Sequence, residues 1–200
     1  MTQYGAREMA KAFRTVRGNT IQIARDIPED QYDFVPAPGT KSVSQLLRHI
    51  AYCVLIHYDF HRDKRVTTLA GYDFSAIGQR AAAAESVPRS KDEIIALLET
   101  EGEAFASWLE SLSPEFLDEV FTDPMGGNPR TRLEHLLGAK EHEMHHRGQL
   151  MLIERMVGVV PHLTRAMQER IAARRRAAEA ASSSAGIASA GSAVHSEQQR

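Results

Sequence analysis

The sequence predicts an all-α protein, a helical bundle, from three observations. Four long segments carry apolar residues at helical spacing, no segment resembles a convincing strand, and the chain has no internal repeat. At 200 residues the chain can bury a full hydrophobic core in one domain and still have a tail. We therefore expect four core helices, then one further helix and a tail.

The first core helix is predicted from about Met9 to Ile27, where apolar residues recur at helical spacing, and Pro28 ends the pattern. Residues 29–40 contain two prolines and a glycine, so we expect a loop there. Three apolar residues of this loop are expected to pack against the bundle: Tyr32, Phe34 and Val35.

The second core helix is predicted to begin at a cap, Ser42 or Ser44, and to continue to about Arg62. His49 lies inside its apolar stripe. Residues 59–78 mix charged residues, aromatic residues and glycine without a clear period. We expect this segment to cross the surface as a long connection, which could let helices two and three run parallel, and it is a candidate wall or lid of a pocket.

The third core helix is predicted to start at Ser90, because Ser90-x-x-Glu93 is a capping box, and to end before Pro114. Residues 120–129 are expected to form a turn or a short extended excursion. The fourth core helix should run from near Thr131 to Gly158. Glycine is unfavourable inside a helix, so we interpret Gly148 as a point where a neighbouring helix approaches closely.

The C-terminal part differs in composition from the core. Residues 163–180 can form a basic amphipathic helix, whose charged face we expect to be solvated. From residue 181 onward the Ala/Ser/Gly-rich composition cannot bury enough apolar area to offset the entropy lost on ordering, which predicts disorder.

The charge balance argues against a nucleic-acid partner, because 24 basic and 26 acidic residues give a formal charge of -2. The sequence shows no apolar run of about 18 residues and no signal region, so we expect a cytoplasmic protein without a membrane partner. The lone Cys53 cannot form an internal disulfide, and we expect it to be a small core residue rather than a reactive thiol.

The most informative stretch is residues 141–150 of the fourth helix. His142 and His146 are four residues apart and therefore lie roughly 40° apart around the helix axis, as a chelating pair would. With Glu143 they form the H-E-x-x-H pattern of zinc proteases. The longer H-E-x-x-H-x-x-G-x-x-H pattern fails, Glu169 would be a distant third ligand, and no strand is predicted that could hold a peptide. A protease is therefore not favoured.

A third ligand has to come from another helix, and His49 is the histidine best embedded in an apolar stripe. Two other sets are possible from spacing alone. His57 and His61 are also four residues apart, and His135 precedes His142 by two helical turns. Charged neighbours lead us to expect that His57 and His61 are exposed to solvent. Spacing alone leaves the choice open, including the possibility that the histidines only form hydrogen bonds.

Residues 142–150, 43–51 and 34–36 together resemble the DinB (damage-inducible)/YfiT-like family, through an H-x-x-H-H-R-G-Q signature and an L-L-x-H-I-A segment. The resemblance covers about residues 5–163. It implies a four-helix bundle of up-down-down-up topology and a divalent metal held by three histidines, which correspond here to His49, His142 and His146. His145 matches a frequent histidine that is not a ligand. We accordingly expect a metal-binding domain at 1–163, a helix at 164–180 and a disordered tail at 181–200.

Three imidazoles suit zinc best, with nickel, iron or manganese possible, and they leave coordination positions open for water or substrate. The first hypothesis is a metal-dependent enzyme, a hydrolase acting on a small molecule. The resemblance also implies two alternatives: a thiol S-transferase that uses a low-molecular-weight thiol, and a non-catalytic metal-binding stress protein. It further implies a homodimer. Other residues are candidates for supporting the ligands, for helix packing or for lining a pocket: Tyr52, His57, Glu143, Arg147 and Gln149.

Overall fold

A computed structural model describes residues 4–122 and 129–197. The helices in these ranges are α1 (Ala6–Asp26), α2 (Val43–Tyr52), α3 (Leu55–His57), α4 (Phe74–Ser86), α5 (Lys91–Glu110), α6 (Pro114–Asp118), α7 (Arg132–Met156) and α8 (His162–Glu197). A 3-10 turn lies at Glu29–Gln31 and a π-helical turn at Tyr58–Asp63. Two short strands, β1 (Val120–Phe121) and β2 (Arg130–Thr131), pair antiparallel.

The predicted four-helix bundle is confirmed and consists of α1, α2, α5 and α7. Helix α1 packs against α5 and α7, and α2 packs against the same two helices. The consecutive helices α1 and α2 are therefore separated in the bundle by the α5 and α7 pair. This arrangement brings α2 beside the histidine-rich helix α7.

The bundle core consists of two apolar clusters with a charged layer between them. Along α1, Phe13 belongs to one cluster and Ile21 to the other, and the buried Arg17 lies between them. Arg17 Nε donates to both carboxylate oxygens of Glu143 on α7, at 3.0 and 3.1 Å. Its other nitrogens donate to the carbonyl oxygens of Leu98 on α5 and Ile50 on α2. One guanidinium thus joins all four bundle helices.

The predicted helical caps are largely confirmed. Ser42, Ser90 and Thr131 each accept from the backbone N–H three residues later, and each is completed by a capping box. Beyond Met156, the last residue of α7, Gly158 adopts a φ of +83°, which favours glycine at a helix end. Within residues 120–129 the described part forms the predicted short extended excursion, and residues 123–128 lie outside the described ranges.

The predicted second helix is not continuous to Arg62. It breaks after Tyr52, resumes as α3 and passes into the π-helical turn at Tyr58–Asp63. A π turn inserts about one extra residue, which rotates the following side chains by roughly 100°. The rotation explains why His61 is buried, contrary to the prediction, at 1% exposure.

The connection after the second helix contains a helix that the pattern did not predict, α4. Asp73 caps it by accepting from the backbone N–H of Ser75. Ile77 is the one residue of α4 classed as buried, so the sequence carries no apolar stripe that would reveal the helix. The prediction that this connection forms a pocket wall is confirmed by its lining residues, described below.

The packing predicted for the loop after α1 is confirmed for two of its three apolar residues. Tyr32 is buried, and its hydroxyl donates to the carbonyl oxygen of Ala24, while Phe34 packs against the core. The prediction is wrong for Val35, which is 48% exposed. Gly148 does not mark a close approach, because a Cβ built there has nothing within 4 Å. Its exposed position leaves no neighbouring helix to accommodate.

The described residues from Val160 onward form a separate unit. Helix α8 spans His162–Glu197. The division of residues 164–200 into a basic helix and a disordered tail stays a prediction. Within the described residues, none of the helices combines the length and the apolar composition needed to span a membrane.

Candidate metal centre

The structure brings His49, His142 and His146 together between α2 and α7. His142 and His146 lie one turn apart on α7, with ring centroids 4.5 Å apart, and His49 faces them from α2 at 5.2 and 5.0 Å. One nitrogen from each of the three rings falls within 4.8 Å of the other two. The three residues predicted as ligands from the resemblance therefore converge in space.

Hydrogen bonds orient two of these rings. Nδ1 of His49 lies 2.8 Å from Oε1 of Glu85 on α4, and a carboxylate only accepts, so this nitrogen carries the proton. Nδ1 of His146 lies 2.8 Å from the amide oxygen of Gln149, which fixes its proton in the same way. In each ring this leaves Nε2 as the nitrogen that a metal would bind.

The geometry fits a divalent ion. Nε2 of His142 and Nε2 of His146 are 3.2 Å apart, and two imidazole ligands of tetrahedral zinc are separated by about 3.3 Å. Burial, followed by the neighbouring histidines, lowers the pKa of His142 to about 4, and burial also lowers the pKa of His146. Neutral imidazole is the form that binds metals.

Glu143 is not placed to act as the general base of an H-E-x-x-H protease. It is fully buried in the bundle core and paired with Arg17. Successive helical residues are rotated by about 100°, so Glu143 points away from the face that carries His142 and His146. The helix-packing role that the sequence suggested for Glu143 is confirmed by this ion pair, whereas Gln149 supports a candidate ligand and Arg147 is half-buried on the same helix.

A cavity of about 470 Å³ opens beside the three histidines. His49, His142 and Glu85 lie on its wall, and so do Tyr52 and His57, as predicted. The rest of the wall is mainly apolar and aromatic, and its residues include Ile56, Phe60, Phe74, Ile77, Ala81 and Ala139. Three of these, Phe74, Ile77 and Ala81, lie on α4. A mostly apolar cavity of this size with a few polar groups is typical of a small-molecule site.

Cys53 also lines the cavity, but its environment makes it a poor nucleophile. Its thiol donates to the carbonyl oxygen of Ile50 at 3.1 Å. Burial raises its pKa to about 12, so the thiolate is disfavoured. This agrees with the expectation that Cys53 is not a reactive thiol.

A second histidine cluster consists of His57, His61 and His135, and one nitrogen from each ring lies within 4.8 Å of the other two. The prediction that His57 and His61 are exposed is wrong, because they are 8% and 1% exposed. Burial, followed by the neighbouring histidines, lowers their pKa values to about 3 and about 2. The break after α2 and the π-helical turn place these side chains inside the molecule.

Glu85 is a residue of the candidate site that sequence reasoning missed. It follows a run of alanines on α4 and has no partner of helical spacing that would signal a site. Only the packing of α4 against α2 brings its carboxylate to His49.

Comparison with known proteins gives consistent results. A family model described as the DinB superfamily matches residues 12–150. The uncharacterized protein YjoA of Bacillus subtilis is 26% identical over 152 residues, which cover 76% of this chain and 90% of YjoA. The crystal structure of that DinB-like protein superposes with a TM-score of 0.55, at 24% identity, and covers 76% of this chain and 92% of YjoA.

Two further solved structures share the fold. YfiT from Bacillus subtilis, described as a probable metal-dependent hydrolase with an unusual four-helix bundle topology, gives a TM-score of 0.60 at 16% identity, over 80% of this chain and 91% of YfiT. A mycothiol-dependent maleylpyruvate isomerase gives 0.55 at 15% identity, over 75% of this chain and 63% of the isomerase. The family model spans well over half of the chain, and it matches the region that carries the bundle. The chain therefore belongs to the DinB superfamily.

Proposed function

We propose that this protein is a metal-dependent enzyme, a hydrolase that acts on a small molecule, with His49, His142 and His146 as the metal ligands. The observation that carries the proposal is the convergence of three imidazoles, two of which, His49 and His142, line a largely apolar cavity. Three protein ligands leave a coordination position open, which distinguishes a catalytic from a structural site. Zinc suits such a set best, and nickel, iron or manganese would also bind imidazole.

The residues of the chain have distinct tasks in this proposal. Glu85 accepts the Nδ1 proton of His49, and Gln149 accepts that of His146, so both rings present Nε2 to the same point. The apolar wall to which α4 contributes offers a surface for the apolar part of a small molecule. When bound, a divalent ion supplies Lewis-acid polarisation of a substrate oxygen and lowers the pKa of a coordinated water to about 7.

The positions of the arginines bear on the alternative of transfer of a charged thiol. Three arginines that could have formed a basic pocket are engaged outside the cavity wall. Arg62 pairs with Asp63, Arg65 with Glu119, and the buried Arg132 with Glu119 and His61. Arg130 is the arginine among the described lining residues. Thiol S-transfer therefore remains the second candidate, and a non-catalytic metal-binding stress protein is the third.

Elemental analysis of the purified full-length protein tests the metal site. We expect about one zinc or nickel ion per chain in the wild type, and loss of that ion in His49→Ala and His142→Ala while the helical circular dichroism persists. His145→Ala is the matched control, because His145 is exposed on the same helix and should retain the ion. Glu85→Gln should weaken zinc binding by about 10- to 100-fold, as loss of a ligand-orienting carboxylate does.

A wild-type protein that carries no metal and binds none on titration would refute the enzyme proposal. If the metal is present, the spectrum of a cobalt-substituted sample shows whether the ion has a coordination position open to a small ligand. A change of its spectrum on adding acetohydroxamate supports a catalytic site, and an unchanged spectrum favours the non-catalytic alternative. Ester and amide substrates, screened beside thiol-dependent conjugation, then separate hydrolysis from thiol transfer.

We also propose that the protein is a homodimer, as the family resemblance implies. Light scattering coupled to size exclusion should give about 44 kDa, twice the chain mass of 22.2 kDa. A mass near 22 kDa would contradict the dimer without bearing on the metal site.

A further inference from the structure

The cavity has a second polar region besides the candidate metal centre. His57 and His135 line it together with His49 and His142. His135 precedes His142 by seven residues on α7, which corresponds to about 10 Å along a helix. The remaining lining residues of the cavity are largely apolar. The cavity therefore carries two pairs of histidines, the candidate ligands His49 and His142 and, toward the start of α7, His57 and His135.

The hydrogen bonds of the second cluster fix which nitrogen of each ring carries a proton. Nη1 of Arg132 lies 2.8 Å from Nδ1 of His61, and a guanidinium only donates, so His61 carries its proton on Nε2. That Nε2 lies 2.9 Å from Nδ1 of His135, which must accept. His135 consequently carries its proton on Nε2. Both rings are neutral, because a second proton on His61 would point at the N–H of Arg132, and a second proton on His135 would point at the N–H of His61.

The same geometry argues against a second metal ion at this cluster. His61 offers no lone pair to a metal, because its Nδ1 accepts from Arg132 and its Nε2 carries the proton that is donated to His135. A metal at Nε2 of His61 would have to displace that proton and break the hydrogen bond to His135.

His57 gives an independent indication of a ligand. It is 8% exposed, lines the cavity, and its Nδ1 is buried without a hydrogen-bond partner among the described residues. A buried polar atom without a partner is costly and calls for an unseen partner. Burial lowers the pKa of His57 to about 3, so it too is neutral.

We propose that the His57–His135 end of the cavity is a recognition site for the far end of the substrate. The substrate is then a molecule with an apolar body, a reactive group at the candidate metal centre and an uncharged hydrogen-bonding group, such as an amide, alcohol or ketone, about 10 Å away. Arg132 and His61 are positioning residues that hold His135 in one tautomer. This inference rests on the proposed function, because it takes His49, His142 and His146 as the reacting end.

Binding of three hydroxamic acids to the zinc-loaded, full-length protein tests the recognition site. All three share an eight-carbon chain with a metal-binding hydroxamate at one end, and they end in a methyl group, a primary amide or a carboxylate. One hydrogen bond is worth about 0.5–1.5 kcal/mol, so we expect calorimetry to show the amide binding about two- to tenfold tighter than the methyl compound. The carboxylate should not exceed the amide, because the recognising imidazoles are neutral.

Variants assign the preference to specific residues. His135→Leu should abolish the preference for the amide, and His135→Gln should restore part of it because glutamine also offers a donor. His145→Ala should behave as the wild type. The melting temperature and the zinc content of each variant, measured alongside, show whether it is folded and loaded.

Each other outcome overturns the proposal in a recognisable way. Equal affinities for the three compounds, or no effect of His135→Leu, remove the recognition site while leaving the metal centre intact. If the carboxylate compound binds most tightly, the far end is recognised by the positive charge of Arg130 and not by neutral imidazoles. Two ions per chain, one of them lost in His57→Leu, would make the cluster a second metal centre. Absence of zinc removes both the inference and the proposed function.

Discussion

Glu143 shows how a residue can match a catalytic motif and yet serve the core. Its carboxylate is fully buried, and its partner Arg17 is 3% exposed, so both charges are shielded from water. Arg17 also donates to carbonyl oxygens of α2 and α5. The two buried charges are therefore compensated by their ion pair and by hydrogen bonds to the backbone, and these contacts involve all four bundle helices. We expect this charged layer to fix how the helices align along the bundle.

Replacing Glu143 tests this role. We expect Glu143→Gln to lower the free energy of unfolding by about 3–5 kcal/mol, because Arg17 is left as a buried and uncompensated charge. Urea unfolding followed by circular dichroism measures the loss. The metal content should not change, since Glu143 faces away from the candidate ligands.

The double variant Arg17→Met/Glu143→Met controls for folding. It removes both charges, so it should be less destabilising than Glu143→Gln alone. A Glu143→Gln protein that keeps wild-type stability but lacks a hydrolytic activity measured in the wild type would instead favour the general-base role.

At the scale of the elements, α1 and α5 approach each other closely at one glycine. A Cβ built on Gly102 of α5 would lie 2.6 Å from Cγ of Arg17 on α1. Arg17 cannot move aside easily, because Glu143 and two backbone carbonyls hold its guanidinium. The close helix approach that we predicted at Gly148 is therefore found at Gly102.

Alanine substitutions distinguish the glycines. Gly102→Ala should lower the free energy of unfolding by about 1–3 kcal/mol through overpacking. Gly18→Ala is the matched control in the interior of α1, where a Cβ has nothing within 4 Å, and it should raise stability by up to about 1 kcal/mol. Thermal and urea unfolding measure the change in the free energy of unfolding of each variant. Changes of the same sign in the two variants would contradict this interpretation.

At the scale of the whole molecule, the buried histidines couple stability to pH. Burial lowers the pKa values of His57 and His61 to about 3 and about 2, from an ordinary value of 6.5. Between the lowered and ordinary values the unfolded chain binds more protons than the folded one, so stability rises with pH in this window. Their contribution is complete above pH 6.5 and is lost progressively as the pH falls below it.

Urea unfolding between pH 7 and pH 4.5 measures this dependence. Below about pH 6, each of the two histidines should add up to about 1.4 kcal/mol per pH unit to the slope of the free energy of unfolding against pH. His57→Leu should reduce the slope by one such contribution. Phe60→Leu, a change at a buried residue of the same segment, should lower stability without altering the slope. A pH-independent free energy of unfolding would show that these imidazoles are not held neutral.

The sequence by itself determined the elements whose signals are local. Ser42, Ser90 and Thr131 marked helix starts because a capping side chain satisfies backbone donors within three residues. Apolar periodicity showed the four bundle helices, because a helix that packs on one side repeats its buried residues every three to four positions. The pair His142 and His146 also followed from spacing, whereas the choice of His49 as their partner needed the family resemblance.

Tertiary structure alone decided the features that depend on residues distant in sequence. Glu85 reaches His49 only through the packing of α4, a helix with too little buried surface to leave an apolar pattern. His57 and His61 were predicted to be exposed from their charged neighbours, yet a helix break and a π-helical turn direct them inward to His135. Arg17 and Glu143 are 126 residues apart and meet in the core. Periodicity reports which face of an element is buried, but only the folded chain determines which faces meet.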